Sequence, residues 1–97
     1  MNLKKMETHC EEATSLLKVM AHAQRLMIMC HLVDGEKNVS EILEKCDISQ
    51  SQLSQFLNRM HREKLLKVRR DGNFSYYSIS DTKIVKLIQA LQKIFCA

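Results

Sequence analysis

SQSQLSQFLNRMHREKLLKVRR, residues 49–70, separates into two faces when wound as a helix and then changes period near its end. Leu53, Phe56, Leu57 and Met60 recur at helical spacing and form one apolar stripe. Gln50, Ser51, Gln52, Ser54, Gln55, Asn58, Arg59 and Arg62 cover the remaining surface. Solvated helices usually carry Glu and Lys on the outer face. This one begins with short, uncharged donor–acceptor side chains and only then turns basic. Amides and hydroxyls can hydrogen-bond the edges of nucleic-acid bases, and arginines can also hold phosphates. Taken alone, the face fits a base-reading helix and an ordinary polar surface equally well.

The flanking sequence breaks that tie. Upstream, Asn38-Val39-Ser40-Glu41 has the form of a helix N-cap with Glu three residues on, opening a short helix to about Cys46. Asp47-Ile48 is a tight connection, and Ser49 caps the next helix with Gln52 at the reciprocal position of a capping box. A short helix, a tight turn and a longer polar-faced helix make a helix-turn-helix. Downstream, Leu66, Val68 and Arg70 alternate with Lys67 and Arg69, Asp71-Gly72-Asn73 signals a reverse turn, and the segment Phe74 to Ile79 is β-prone. A β-hairpin with basic residues beside its tip is expected. Arg69, Arg70 and Asn73 would then flank the groove that the polar-faced helix enters. Two adjacent elements offering the same kind of surface favour DNA binding over a solvated face.

The rest of the chain reads as helix. Residues 3–20 carry Leu3, Met6, Cys10, Ala13, Leu17 and Met20 on one side. A second helix, about Ala23 to Val33, is apolar over most of its surface and therefore central, and Asp34-Gly35 stops it. Asp81 to Phe95 carries Ile84, Leu87, Ile88, Leu91 and Phe95 at helical spacing. The expected fold is mainly α with a β-hairpin wing: a winged helix-turn-helix in the order α-α-α-α-β-β-α, a single domain over residues 1–97.

With 97 residues, one small core lies near the lower limit for comfortable stability. The terminal helices carry apolar stripes larger than such a domain needs, so a homodimer through the first and last helices is expected; completion of the monomer core is the other use for them. Two-fold symmetry would set two reading helices about one DNA turn apart, matching an inverted-repeat operator. Two glycines and no proline agree with a mostly helical globule. The net charge is +4, yet Arg59 to Arg70 holds six Lys/Arg against Glu63 alone. A local excess above the global one points to a polyanion partner, here double-stranded DNA. No N-terminal apolar run has the form of a signal peptide and no segment approaches a membrane span, so a cytoplasmic protein without membrane partners is expected. In that reducing compartment four cysteines are not a disulfide framework; reactive thiols, metal ligands and plain buried cysteines stay open.

The segments LLKVMAHAQRLMIMCHL (16–32), VSEILEKCDISQSQLSQFL (39–57), the wing ending YYSIS (76–80) and KIFC (93–96) resemble the ArsR-type family of small dimeric winged-helix repressors across nearly the full chain. Within it they are most similar to the persulfide- and redox-responsive BigR/SqrR/HlyU branch, whose members pair a cysteine late in the second helix with one ending the last helix. Cys30 and Cys96 occupy those positions at the same 66-residue interval. The resemblance implies that persulfide or oxidant joins Cys30 to Cys96, directly or through added sulfur, shifts the last helix and releases DNA. Two departures stand out. His22-Ala23-Gln24-Arg25 replaces the common His-Pro-x-Arg, and Phe56 replaces a histidine in Leu-Ser-Gln-His-Leu. At the stripe edge Phe56 is placed to pack, not to touch DNA.

Metal-responsive members of the family carry Cys-x-Cys in the first helix of the helix-turn-helix, or Asp and His along the last helix. Val39–Leu43 contains no cysteine and Asp81–Phe95 no histidine, so neither metal nor cofactor is expected. A metal-responsive or effector-free regulator is the alternative reading, and a winged-helix module that docks protein instead of DNA is another. An enzyme is not expected: no thiolate–His–pocket constellation is legible. From the residues alone, Cys30 lies mid-helix among apolar neighbours that raise a thiol pKa, and Cys96 lies at a helix C-terminus whose dipole disfavours thiolate, with Lys93 one turn back as a partial offset. Cys46 reads as structural filler or a second oxidation site.

Overall fold

The computed structural model describes residues 1–96. The chain runs α1 (Leu3–Met20), α2 (Ala23–Leu32), β1 (Lys37–Asn38), α3 (Val39–Lys45), α4 (Gln50–Arg62), β2 (Leu66–Asp71), β3 (Phe74–Ile79) and α5 (Thr82–Cys96). This is a winged helix. The apolar stripe of α4 supplies its centre: Leu53, Leu57 and Met60 are buried among Ile28, Met29 and Leu32 of α2, Ile42 of α3 and Ile84 and Ile88 of α5. Each fully buried side chain of this kind contributes roughly 1.5–3 kcal/mol.

Local chemistry sets the ends of α3 and α4. Asn38 accepts from the Glu41 amide at 2.9 Å while Glu41 accepts from the Asn38 amide at 3.0 Å. Ser49 and Gln52 repeat the exchange at 3.1 and 3.2 Å. Both helix starts are capping boxes, and between them Cys46 to Ser49 turns the chain. The far end of α4 closes with Leu65 N–H on the Met60 carbonyl at 2.9 Å and Lys64 N–H on the His61 carbonyl at 3.0 Å. That pair of bonds is a Schellman motif. It requires a left-handed residue, and here Lys64 takes φ 64° without being glycine.

In the wing, β2 and β3 pair antiparallel with Leu66 opposite Ile79 and Asp71 opposite Phe74. Gly72 and Asn73 make a two-residue turn, Gly72 at φ +61° in the first central position as a type II′ turn requires. The sheet has a third member not expected from sequence: β1 pairs with β3, Lys37 opposite Tyr77 and Asn38 opposite Tyr76, giving the order β1-β3-β2. Two residues have no readable period, and they become strand only because β3 lies beside them.

Two helices depart from expectation. In α1 the buried side is Val19 and Met20 with Ala13 and Leu16 half-buried, while Leu3, Met6, Cys10 and Leu17 are exposed. The first 12 residues are exposed throughout, so burial is confined to the later turns, although Glu12 still reaches Lys83 of α5 at 3.9 Å. α2 is central on one side only: Ile28, Met29 and Leu32 are buried, but Met27 is 48% exposed and Leu26, Cys30 and Val33 sit at the margin. No helix among the described residues is long and apolar enough to cross a membrane.

Candidate nucleic-acid interface

Because Leu53, Leu57 and Met60 turn inward, the opposite side of α4 faces out. Gln50, Ser51, Gln52, Gln55, Asn58, Arg59 and Arg62 are exposed, and Ser54 is half-buried. Ser49 is exposed but occupied as the N-cap, and Gln52 is partly occupied, its Oε1 accepting from the Ser49 amide while its NH₂ stays free to donate. Gln55 therefore has the less encumbered amide of the two. Phe56 is half-buried with its ring 5.0 Å from that of His22, so it packs at the stripe edge as its position implied. His22 is itself the N-cap of α2, its Nδ1 accepting from the Gln24 amide at 3.2 Å. The helix start that lacks proline is thus held by an imidazole cap backed by an aromatic ring.

The wing residues divide. Arg69 and Arg70 are adjacent in β2, so their side chains leave opposite faces of the sheet. Arg69 donates from Nη2 to Glu36 at 2.6 Å and from Nε at 3.1 Å, and its guanidinium lies 4.5 Å over the Tyr76 ring. That hydrogen bond holds the Glu36 carboxyl below the ordinary range and Arg69 above its own. Arg70 makes only a 3.3 Å contact from Nη1 to the Ser75 hydroxyl. Asn73 is exposed at the hairpin tip. The helix residues and Arg70 with Asn73 are thus open to a ligand, whereas Arg69 is engaged with its own chain.

One residue that sequence reading passed over borders the same surface. Arg25, in the first turn of α2, is 9% exposed and lines a cleft with Gln55, Phe56, Asn58, Arg59 and Arg62. The available signal was Arg25 as the only Lys/Arg of a mostly apolar helix, already in view as the end of His22-Ala23-Gln24-Arg25.

The two cysteines singled out share a neighbourhood. Burial pushes the Cys30 thiol up, the proximity of Cys96 raises it further, and the Gln92 side chain opposes both. Cys96 ends α5, exposed, in a shallow groove bordered by Lys86, Gln89, Gln92 and Lys93. Burial likewise raises Cys46, which packs against the core, and Cys10 is exposed on α1. All four thiols are free. Among the described residues no three His, Cys, Asp or Glu side chains are grouped to hold a metal ion.

Comparison with known proteins agrees with this geometry. Residues 22–68 match the family model described as bacterial regulatory protein, arsR family. The chain is 38% identical over 96 residues to the transcriptional activator HlyU of Vibrio cholerae, covering 99% of this chain and 89% of that one. It is 40% identical over 95 residues to the biofilm growth-associated repressor of Agrobacterium fabrum, covering 98% and 81%. The solved structure of the transcriptional repressor BigR from Xylella fastidiosa superposes with a TM-score of 0.93 at 36% identity, covering 100% of this chain and 99% of that one. Fold, helix-turn-helix and similarity over nearly the whole given chain converge: this chain belongs to the ArsR family of winged-helix transcriptional regulators, proteins that bind DNA and are not enzymes.

Proposed function

We propose that the protein is a cytoplasmic, homodimeric regulator, a repressor in outcome, that binds an inverted-repeat operator and lets go when persulfide or oxidant links Cys30 to Cys96. The observation that carries the DNA-binding part is the outward face of α4, a surface of amides, hydroxyls and arginines that is exposed except for the half-buried Ser54. In this reading Gln52, Ser54 and Gln55 contact base edges, with Ser49, Gln50, Ser51 and Asn58 beside them. Arg59, Arg62 and Arg70 hold phosphates, Asn73 reaches the backbone from the wing, and Arg69 joins them only on leaving Glu36.

For the switch, the support is the placement of Cys30 beside the end of α5, where Cys96 raises its thiol pKa and the Gln92 side chain hydrogen-bonds it. Closing them as a disulfide removes two protons and two electrons, which an oxidant such as a peroxide accepts. Closing them through inserted sulfur takes sulfane atoms from a hydrogen polysulfide, whose terminal sulfurs leave as hydrogen sulfide. Direct closure needs Cα atoms within about 7 Å, and inserted sulfur tolerates more. Either product ties the end of α5 to α2 and alters the spacing of the two reading helices. Relatives named as activator and as repressor are both similar to this chain, and the repressor reading follows the solved structure of BigR, titled a transcriptional repressor.

Mobility shifts with and without a polysulfide donor test the proposal. Cys30→Ser and Cys96→Ser proteins should hold DNA as the parent does and ignore the donor. Release retained by both variants would end the thiol mechanism, and intact mass after treatment distinguishes a disulfide from added sulfur.

A further inference from the structure

Arg25 is nine-tenths buried, and its Nε has no hydrogen-bond partner among the described residues. A buried guanidinium is ordinarily matched by a carboxylate or carbonyl, because desolvating the charge without a partner costs several kcal/mol. Nothing of that sort is supplied here. The cleft that Arg25 lines, about 400 Å³, is completed by Gln55, Phe56, Asn58, Arg59 and Arg62, and no carboxylate among the described residues borders it. Burial and then the positive charge of Arg59 both lower the Arg25 pKa, so the two guanidiniums repel with no acid between them. Three arginines and two side-chain amides converge on one opening, an arrangement complete only with an anion that accepts several hydrogen bonds.

We propose that this cleft receives a backbone phosphate of duplex DNA, with Arg25 as its deepest ligand beneath the reading helix. A phosphodiester has two non-bridging oxygens carrying one negative charge, which suits the forked donors of a guanidinium better than a compact ammonium. Four of the other five lining residues, Gln55, Asn58, Arg59 and Arg62, belong to the outward face of α4, so a phosphate seated here lies on the strand bordering the groove that α4 enters. Such a contact reads no sequence. It fixes the depth and register of α4, on which the contacts of Gln55 depend. The inference rests on the DNA-binding reading and adds a ligand to it from a different helix.

The test uses the full-length protein and duplexes enriched from a random-sequence pool by retention on it. Arg25→Met should leave the melting temperature unchanged or raised, since it removes a buried Nε without a partner and the repulsion from Arg59, yet weaken duplex binding about tenfold per half-site. The logarithmic salt dependence should become flatter by about 1 per protomer. Arg25→Lys, which keeps charge but not the fork, should restore the salt dependence and only part of the affinity. Duplexes carrying one neutral methylphosphonate locate the contact: the wild type should lose affinity at one linkage per half-site, and Arg25→Met should be indifferent there. If Arg25→Met does not fold, Arg25→Lys carries the methylphosphonate series. Wild-type affinity and salt dependence in Arg25→Met, or a variant sensitive at every linkage where the wild type is, would overturn the proposal alone. Thermal protection of the wild type by inorganic phosphate, absent in Arg25→Met, together with unchanged duplex binding, would assign the cleft to a free anion instead. A wild type that retains no duplex at low salt removes the DNA reading itself.

Discussion

Arg69 and Arg70 share a strand, a charge and an exposed position, but only one of them is free to bind. The sequence shows both guanidiniums and cannot show that Glu36, 33 residues earlier, folds back against Arg69. Neutralising Arg70 should therefore weaken all duplexes alike and flatten the salt dependence by about 1 per protomer, while Arg69→Ala should do less. Glu36→Gln should act in the opposite direction, removing a negative charge and releasing Arg69, so filter binding should show tighter DNA. The pH dependence has a definite sign. The folded Glu36 pKa lies below its unfolded value, chiefly through the Arg69 hydrogen bond, so the pair's contribution is present above the unfolded pKa and fades as pH falls through the folded one. Acidification into that range should tighten DNA in the wild type more than in Glu36→Gln; parallel curves would remove Glu36 as the restraint. The thiols allow a second reading at this scale. Burial and then Cys96 raise the Cys30 pKa, so its alkylation should titrate to the alkaline side of an ordinary thiol, and Cys96→Ser should move that midpoint down. Apolar neighbours around Cys30 made the first effect legible in the sequence; the second depends on α5 returning to α2.

Among the elements, α4 was the most legible because its signals are local. The stripe Leu53, Phe56, Leu57 and Met60 and the Ser49–Gln52 exchange, like the turn at Gly72 in the wing, are each set by residues a few positions apart, and each appears where the spacing put it. Strand β1 was not legible, and neither was the short reach of burial along α1. In both cases the deciding surface comes from elsewhere in the chain. The caps give direct stability predictions. Ser49→Ala removes the acceptor for the Gln52 amide and should cost about 1 kcal/mol in chemical denaturation. At the other end Lys64 holds the left-handed position of the Schellman motif with a side chain that resists it. Lys64→Gly should stabilise the protein by about 0.5–1 kcal/mol, the relief of left-handed strain less the added flexibility of the unfolded chain. A Lys64→Gly protein less stable than the parent would mean that the lysine side chain makes a compensating contact.

Across the whole molecule, apolar surface is left over at both termini of the fold. Leu3, Met6 and Leu17 on α1 and Ile94 and Phe95 on α5 are between 46 and 80% exposed, more than scattered surface residues of a small monomer would explain. Their use as a two-fold interface fits a chain of 97 residues whose single core is small. Leu17→Glu with Phe95→Glu should therefore give a folded monomer by sedimentation, since neither side chain belongs to the core. Operator affinity should fall roughly 10²–10⁴-fold, because the second half-site loses its tethered partner. Cys96 is the last residue of α5, next to Phe95, so a bond from Cys96 to Cys30 would act on the same segment as the proposed interface. It leaves Leu3, Met6 and Leu17 untouched. The linked protein should remain a dimer in sedimentation while losing its operator, which separates altered spacing of the two α4 helices from dissociation as the cause of release. Monomers appearing in step with sulfur linkage would show that the switch works by breaking the interface.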